Sequence, residues 1–215
     1  MFFNFHYGEK DMNICKPQIY YHGSGVVVES PNLLKSREDI DFGVGFYLTT
    51  DKMMAKKWAS SRANAIVNEY SVNIMNLNSY IFSLDKEWLE FVRANRGYGP
   101  NQKEIIKQYK SYDVLIGPTA DDKLFDTIQQ YLDGYLSPFR TLKYLNIAGY
   151  SNQIVLKTAK SIENCTFLRA KELVGAEKQD AKLKAMQDRI NANKRLDELK
   201  KADARMDELY EERER

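Results

Sequence analysis

Cysteine and histidine are almost missing from this 215-residue chain, which holds two of each. Cys15 and Cys165 are too few for a disulfide framework, and with His6 and His22 they make no zinc-ligand spacing, so no metal is expected. No apolar run approaches the ~20 residues of a membrane-spanning helix, and the opening Met-Phe-Phe-Asn-Phe-His has no basic n-region. The expectation is a cytoplasmic protein without a membrane partner. A net charge of +2 leaves no broad basic field for non-specific nucleic-acid binding. Also missing are a Walker-type Gly-Lys-Ser/Thr and a Gly-x-Gly-x-x-Gly opening a helix. Asp41-Phe42-Gly43 has the letters of a kinase magnesium motif, but no glycine-rich loop with a strand lysine and no His-Arg-Asp loop accompany it.

The aromatic residues crowd into the first 170 positions. Residues 171 to 215 carry equal numbers of acidic and basic side chains, no proline and one glycine. This divides the chain into an N-terminal extension (1–18), a globular α+β domain (19–169) and a charged C-terminal helix (170–215). In the last segment Leu183, Met186 and Ile190 form an apolar stripe that resumes at Leu196 and Leu199, which predicts docking on the domain or on another chain, the alternative being a solvated or fraying tail. Acid-first pairs four apart, such as Asp180 with Lys184, support the helix by about 0.2–0.5 kcal/mol each.

The stretch Asp41 to Thr50 sets Gly43 and Gly45 inside a strand-forming aromatic run. Glycine weakens a strand interior, so Gly-x-Gly there predicts a bulge, a bend or a ligand against the backbone. Twenty residues earlier Ile19-Tyr20-Tyr21-His22-Gly23-Ser24 is another β-prone run ending in small residues. Side by side, strands 18–22 and 42–49 would make a cleft floored by backbone, walled by Phe46 and Tyr47, and supplied with the imidazole of His22. Further strands are expected at 70–77, 80–84, 112–117, 151–158 and 166–168. Helices are expected after Thr50 or Asp51, with Ala55, Trp58, Ala59, Arg62, Ala63 and Ile66 on one face, after Asp85, over about 122–136 and over about 137–146. Strands dispersed among helices without strict alternation indicate an α+β domain. Ser24 is a poor nucleophile, because no histidine other than His6 remains to act as its base.

Tyr21-His22-Gly23-Ser24, and then Asp41-Phe42-Gly43-Val44-Gly45-Phe46-Tyr47-Leu48-Thr49 followed by Ala55 and Trp58, resemble the first two motifs of the ADP-ribosyltransferase superfamily, on its diphtheria-toxin and poly-ADP-ribose-polymerase side. Trp88-Leu89 with Asn95-Arg96, Tyr112 to Pro118 with Ala120-Asp121-Asp122, and Asn152-Gln153 resemble an uncharacterised bacterial branch of it. The resemblance spans about residues 19 to 168 and implies a split antiparallel β-sheet with flanking helices. It also implies NAD as substrate, transfer of ADP-ribose to a macromolecular acceptor (protein or nucleic acid), and a toxin or phage-defence role countered by an antitoxin protein. His22 would bond a ribose hydroxyl, the Gly23 backbone would hold the nicotinamide amide, and Tyr47 would stack on the nicotinamide ring. Ser24, Gly43, Gly45 and Phe46 would line the same pocket.

Where the resembling enzymes place a glutamate, this chain has Gln153. An amide keeps the hydrogen-bonding capacity but cannot supply negative charge. Asp121 and Asp122 are the alternative sources of that charge, or else helix caps. Arg96 is either a planar fork for a pyrophosphate or a surface arginine. Two other outcomes share the pocket: hydrolysis of NAD, and a catalytically silent NAD- or ADP-ribose-binding module.

Overall fold

The computed structural model describes residues 18–35, 40–120, 125–148 and 151–213. His6, Cys15, Asp121 and Asp122 lie outside the described residues. Two sheets form the centre. The first has strand order β1 (Gln18–Ser24), β3 (Ile66–Val72), β7 (Cys165–Glu172), antiparallel throughout. The second has the order β2 (Phe46–Leu48), β6 (Asn152–Leu156), β5 (Val114–Pro118), β4 (Ser79–Ile81). Its β4–β5 pair is parallel, so the expected all-antiparallel arrangement does not extend to this edge.

Alternation along the strands sorts side chains into layers. Tyr20, Tyr70 and Val72 of the first sheet meet Phe46, Leu48, Val114, Ile116, Ile154 and Leu156 of the second. The opposite face of the second sheet, with Leu115 and Val155, packs under α2 (Lys86–Asn95), α4 (Phe125–Leu132) and α5 (Pro138–Ala148). The outer face of the first sheet receives α1 (Lys52–Ser60) through Ala55, Ala59 and Val67. α3 (Gln102–Gln108) and α6 (Ala159–Glu163) are short connections. Asp51 caps α1 by accepting from Met53 N–H at 2.8 Å, and Asp85 caps α2 by accepting from Trp88 N–H at 3.0 Å. Both satisfy donors that a helix start leaves unpaired.

α7 (Gly175–Arg213) docks on the domain, in its second half through the expected Leu196 and Leu199, but in its first half by a face other than that of Leu183, Met186 and Ile190. Leu183, Met186 and Ile190 are 58%, 61% and 49% exposed, whereas Ala181, Ala192 and Leu196 are buried. Alanines let the helix approach closely, and ion pairs hold its flank: Lys56 to Glu177 at 2.7 Å, Lys57 to Asp188, and Lys143 to Asp203. Elsewhere α1 stops at Ser60, and Ile66, expected on its face, opens β3 instead. The strand expected over 42–49 shortens to Phe46–Leu48, because Gly43 takes φ +65° in a turn. Val26 to Val28, though β-branched, form a loop beyond β1.

Candidate functional site

The candidate site lies where the two sheets meet. Tyr21 exchanges both main-chain hydrogen bonds with Thr49, at 2.8 and 3.0 Å, in an isolated antiparallel bridge. Continued by one more rung, that register would set Gly23 against Tyr47. Instead the Tyr47 carbonyl meets the imidazole of His22, with Nδ1 at 2.8 Å. A carbonyl only accepts, so Nδ1 carries the proton. Burial lowers the His22 pKa, opposed by this bond to Tyr47, and the charge of Arg62 lowers it further. The ring is therefore neutral at pH 7 with Nε2 as an acceptor, and no protein group donates to Nε2 among the described residues. The imidazole also lies 4.7 Å from the ring of Phe46, which fixes its plane.

Tyr47 is anchored at both ends. Its hydroxyl donates to the Gly43 carbonyl at 2.7 Å and accepts from Phe42 N–H at 3.1 Å, so the tyrosine closes the 42–45 turn upon itself. Its ring packs beside the core formed by the second sheet and its helices. Lys157 reinforces the turn by donating to the Phe42 carbonyl, and burial pulls the ammonium down to about 8.

Gln153 follows on β6, two residues from Val155, the register partner of Tyr47. Side chains at this spacing share a face, so Gln153 and Tyr47 project from the same side of the second sheet. His22 belongs to the face of the first sheet that carries Tyr20 and lies against Phe46, on the opposite side of β2 from the Tyr47 ring and Gln153. The structure therefore joins it to Tyr47 through the main-chain carbonyl alone and does not bring its side chain together with that of Gln153. Gln153 is 4% exposed, and its Nε2 donates to the Pro118 carbonyl at 3.4 Å, a long bond. That carbonyl also accepts from Trp88 Nε1 at 3.1 Å. The amide oxygen of Gln153 has no protein donor among the described residues.

The glycines have reasons other than the predicted approach of a ligand. A Cβ on Gly23 would lie 2.1 Å from the Ala55 carbonyl oxygen, so its bare face admits α1. A Cβ on Gly45 would meet Val155 Cγ1 at 2.4 Å, so its bare face admits β6. The edge of Gly23 is a separate matter. Its N–H and C=O point the same way as those of Tyr21, toward the gap beyond the bridge, because peptide groups alternate along a strand.

Ser24 is committed to a turn, donating from Oγ to the Val26 carbonyl at 2.5 Å and accepting from Asn68 Nδ2 at 3.0 Å. Arg96 engages Asp41 through Nε at 3.1 Å and Nη2 at 2.5 Å, and donates to the Ala120 carbonyl at 3.2 Å. Asp41 Oδ2 in turn accepts from Ala120 N–H at 2.9 Å. Arg96 is thus part of a clamp that ties residue 41 to residue 120, rather than a loose surface arginine. Sequence reasoning passed over Asn68, Lys157 and the clamp role of Asp41. Asn68 is fully buried and braces the 24–28 loop, accepting from Val28 N–H at 2.9 Å. A polar residue amid Ile66-Val67-Asn68-Glu69-Tyr70 was a signal that could have found it. Among the described residues no cluster of three or more His, Cys, Asp or Glu could hold a metal ion, and no helix is long and apolar enough to cross a membrane.

Residues 18–167 match the family model DUF3990, described as a protein of unknown function. The chain belongs to this family. The matched span begins with β1 and ends within β7, so the whole corner described above falls inside it and α7 falls outside. Neither a curated protein nor a solved structure matches the chain.

Proposed function

We propose that this protein is an NAD-dependent ADP-ribosyltransferase acting on a macromolecule. The observation that carries the reading is His22: a neutral imidazole, held by Nδ1 on the Tyr47 carbonyl at 2.8 Å, with Nε2 left as an acceptor beside the parting strands. An acceptor nitrogen suits a ribose hydroxyl. The edge of Gly23 suits a carboxamide, which offers one donor and one acceptor to a peptide N–H and C=O. The ring of Tyr47, held by its hydroxyl, offers a rigid face to nicotinamide, and an offset aromatic contact contributes about 0.5–1.5 kcal/mol beyond area burial.

In this reaction the bond between C1 of the ribose and the pyridinium nitrogen breaks, and nicotinamide leaves with the electron pair. A nucleophile of the acceptor supplies the pair for the new bond at C1 and gives its proton to solvent. Gln153 orients ribose hydroxyls through its amide oxygen. It supplies no negative charge, so the transition state lacks the electrostatic stabilisation that a carboxylate contributes at such a centre.

Incubation with NAD labelled in the adenylate part tests the reading. Label on protein or nucleic acid supports transfer, and free ADP-ribose indicates hydrolysis. Unaltered NAD, bound or unbound, overturns the enzyme assignment. Tyr47→Ala abolishes turnover on this reading, and Gln153→Glu keeps or raises it. A role as toxin or phage-defence effector with a protein antitoxin belongs to the same proposal, and is tested by whether expression arrests growth in a Tyr47-dependent way.

A further inference from the structure

Beyond the end of α1, Ser60, Ser61, Arg62 and Ala63 face Gly175, Lys178, Gln179 and Lys182 of α7 across a groove of about 630 Å³. Three cations line it and no carboxylate does. Glu177, the acid nearest the start of α7, turns away to Lys56 at 2.7 Å and Lys171 at 2.6 Å. Asp180 pairs with Lys184 at 3.0 Å. The positive charge facing the groove is therefore not cancelled within it.

Arg62 links this groove to the candidate site. Its Cβ lies 3.5 Å from the point a Cβ on Gly25 would occupy, so its stem crosses the end of the 22–25 segment. Its charge is felt at the His22 ring, after burial and the Tyr47 bond. Arg62 is exposed and makes no ion pair among the described residues. Lys182 is likewise exposed, and Lys178 donates to the Ala63 carbonyl at 2.7 Å, which fixes the groove's far wall. Lys178 and Lys182 are four apart on one helix, so their stems leave the same face about 5–6 Å apart. Each can then meet a separate phosphate, with Arg62 at the end nearest His22.

We infer that this groove binds the phosphate backbone of a single-stranded nucleic acid and leads it toward the His22–Tyr47 corner as the acceptor. The inference rests on the transferase reading for the word acceptor, but the binding itself stands apart from it. An open groove lined by three cations, with no carboxylate and no aromatic ring among its lining residues, matches backbone contact, which positions without specifying sequence. An overall charge of only +2 is compatible with this, because three local cations suffice for a weak, salt-sensitive track.

The test is fluorescence anisotropy of a labelled single-stranded 20-nucleotide RNA with the full chain, without NAD, across a salt series. Three phosphate contacts give a slope of log K against log salt of about −2. Arg62→Glu with Lys182→Glu removes two of them, so the slope becomes shallower by about 1.4 and affinity at low salt falls at least about tenfold. Arg62→Gln with Lys182→Gln gives a smaller loss in the same direction, at an unchanged melting temperature, which separates the effect from misfolding. Absence of binding, an unaltered slope in both variants, or equal binding of a labelled oligoglutamate peptide would overturn the inference. Cleavage of NAD by the unaltered chain with no RNA present is measured separately, so failure of the groove and failure of the enzyme reading are distinguishable.

Discussion

Gly23→Ala separates a glycine kept for a ligand from a glycine kept for a helix. The methyl group would be built 2.1 Å from the Ala55 carbonyl oxygen, 2.9 Å from Ala59 N and 3.0 Å from the Ala55 carbonyl carbon. Contacts this close to backbone cannot be relieved by a rotamer change, so α1 must withdraw by about 1 Å or β1 must bend. Both movements disturb Ala55, Ala59 and Val67, which form the small core between helix and sheet. Overpacking of a well-filled core costs about 1–3 kcal/mol, and the clash here is with main chain, which puts the expected loss at the upper end. With a urea slope of about 3 kcal/mol/M for a chain of this size, the unfolding midpoint falls by about 1 M. Equilibrium urea unfolding without NAD reads the effect directly. A midpoint within about 0.2 M of the parent would refute the packing argument and return Gly23 to a purely ligand-facing role. Ala55→Gly should not rescue the variant, because the obstructing atoms belong to the backbone.

Tyr47→Phe removes a bond to the Gly43 carbonyl and one from Phe42 N–H, and thermal melting should show a loss of about 1–3 kcal/mol at about 0.5–1.5 kcal/mol per bond. Lys157 has its pKa lowered by burial from 10.5 to about 8, so the unfolded chain binds more protons between those values and stability rises with pH across that window. The rise is about 1.4 kcal/mol per pH unit. Lys157→Met should abolish it, and urea unfolding at pH 8 and pH 10 should show the gap between variant and parent change by about 2–3 kcal/mol. Asp203→Ala removes the partner of Lys143 and the acceptor of the Tyr144 hydroxyl at 2.9 Å. Amide exchange should quicken in α5 and the C-terminal half of α7 while α1 stays protected, and uniform quickening would contradict separate docking of the two halves.

The α+β class, the capped starts of α1 and α2, the buried strand ending at Gly117-Pro118 and the long last helix were all legible, because each has a local signal: a cap residue, a β-branched run or a helical period. The start of β3 was not. Ile66 continues the helical spacing of Ala55, Ala59 and Arg62, and only its tertiary pairing with Ser24 of β1 and Glu172 of β7 makes it a strand residue. Leu196 and Leu199 dock as the apolar stripe predicts, but along the first half of α7 the docking face differs from the stripe for a similar reason. Hydrophobicity singles out Leu183, Met186 and Ile190, whereas close approach to α1 demands small residues, and alanine carries little weight in such a pattern. Sequence singles out His22, Tyr47 and Gln153 as candidates but is silent on the tautomer of the imidazole. That depends on a carbonyl 25 positions away. The reasons for Gly23 and Gly45 were equally hidden, since the atoms that exclude a side chain belong to α1 and β6.

The turn from Asp41 to Gly45 is held by three groups from three elements: Arg96 at the end of α2, the Tyr47 hydroxyl on β2 and Lys157 after β6. Each fixes a different atom of the same short segment, whose Phe42 side chain is itself buried in the core under the helices. Tyr47 is therefore positioned from both sides, by its carbonyl on His22 and by its hydroxyl on the turn. Such double anchoring leaves its ring little freedom to reorient, so a flat ligand lying against it would meet a surface whose ordering cost was met on folding. Charge is where the arrangement is incomplete. Asp41 lies close in sequence and is ionisable, yet Arg96 and the Ala120 N–H engage both of its oxygens, which removes it as a stabiliser of a developing cation. On the transferase reading, with Gln153 neutral, positioning would carry more of the rate than electrostatics, and Gln153→Glu would be the substitution most able to raise turnover.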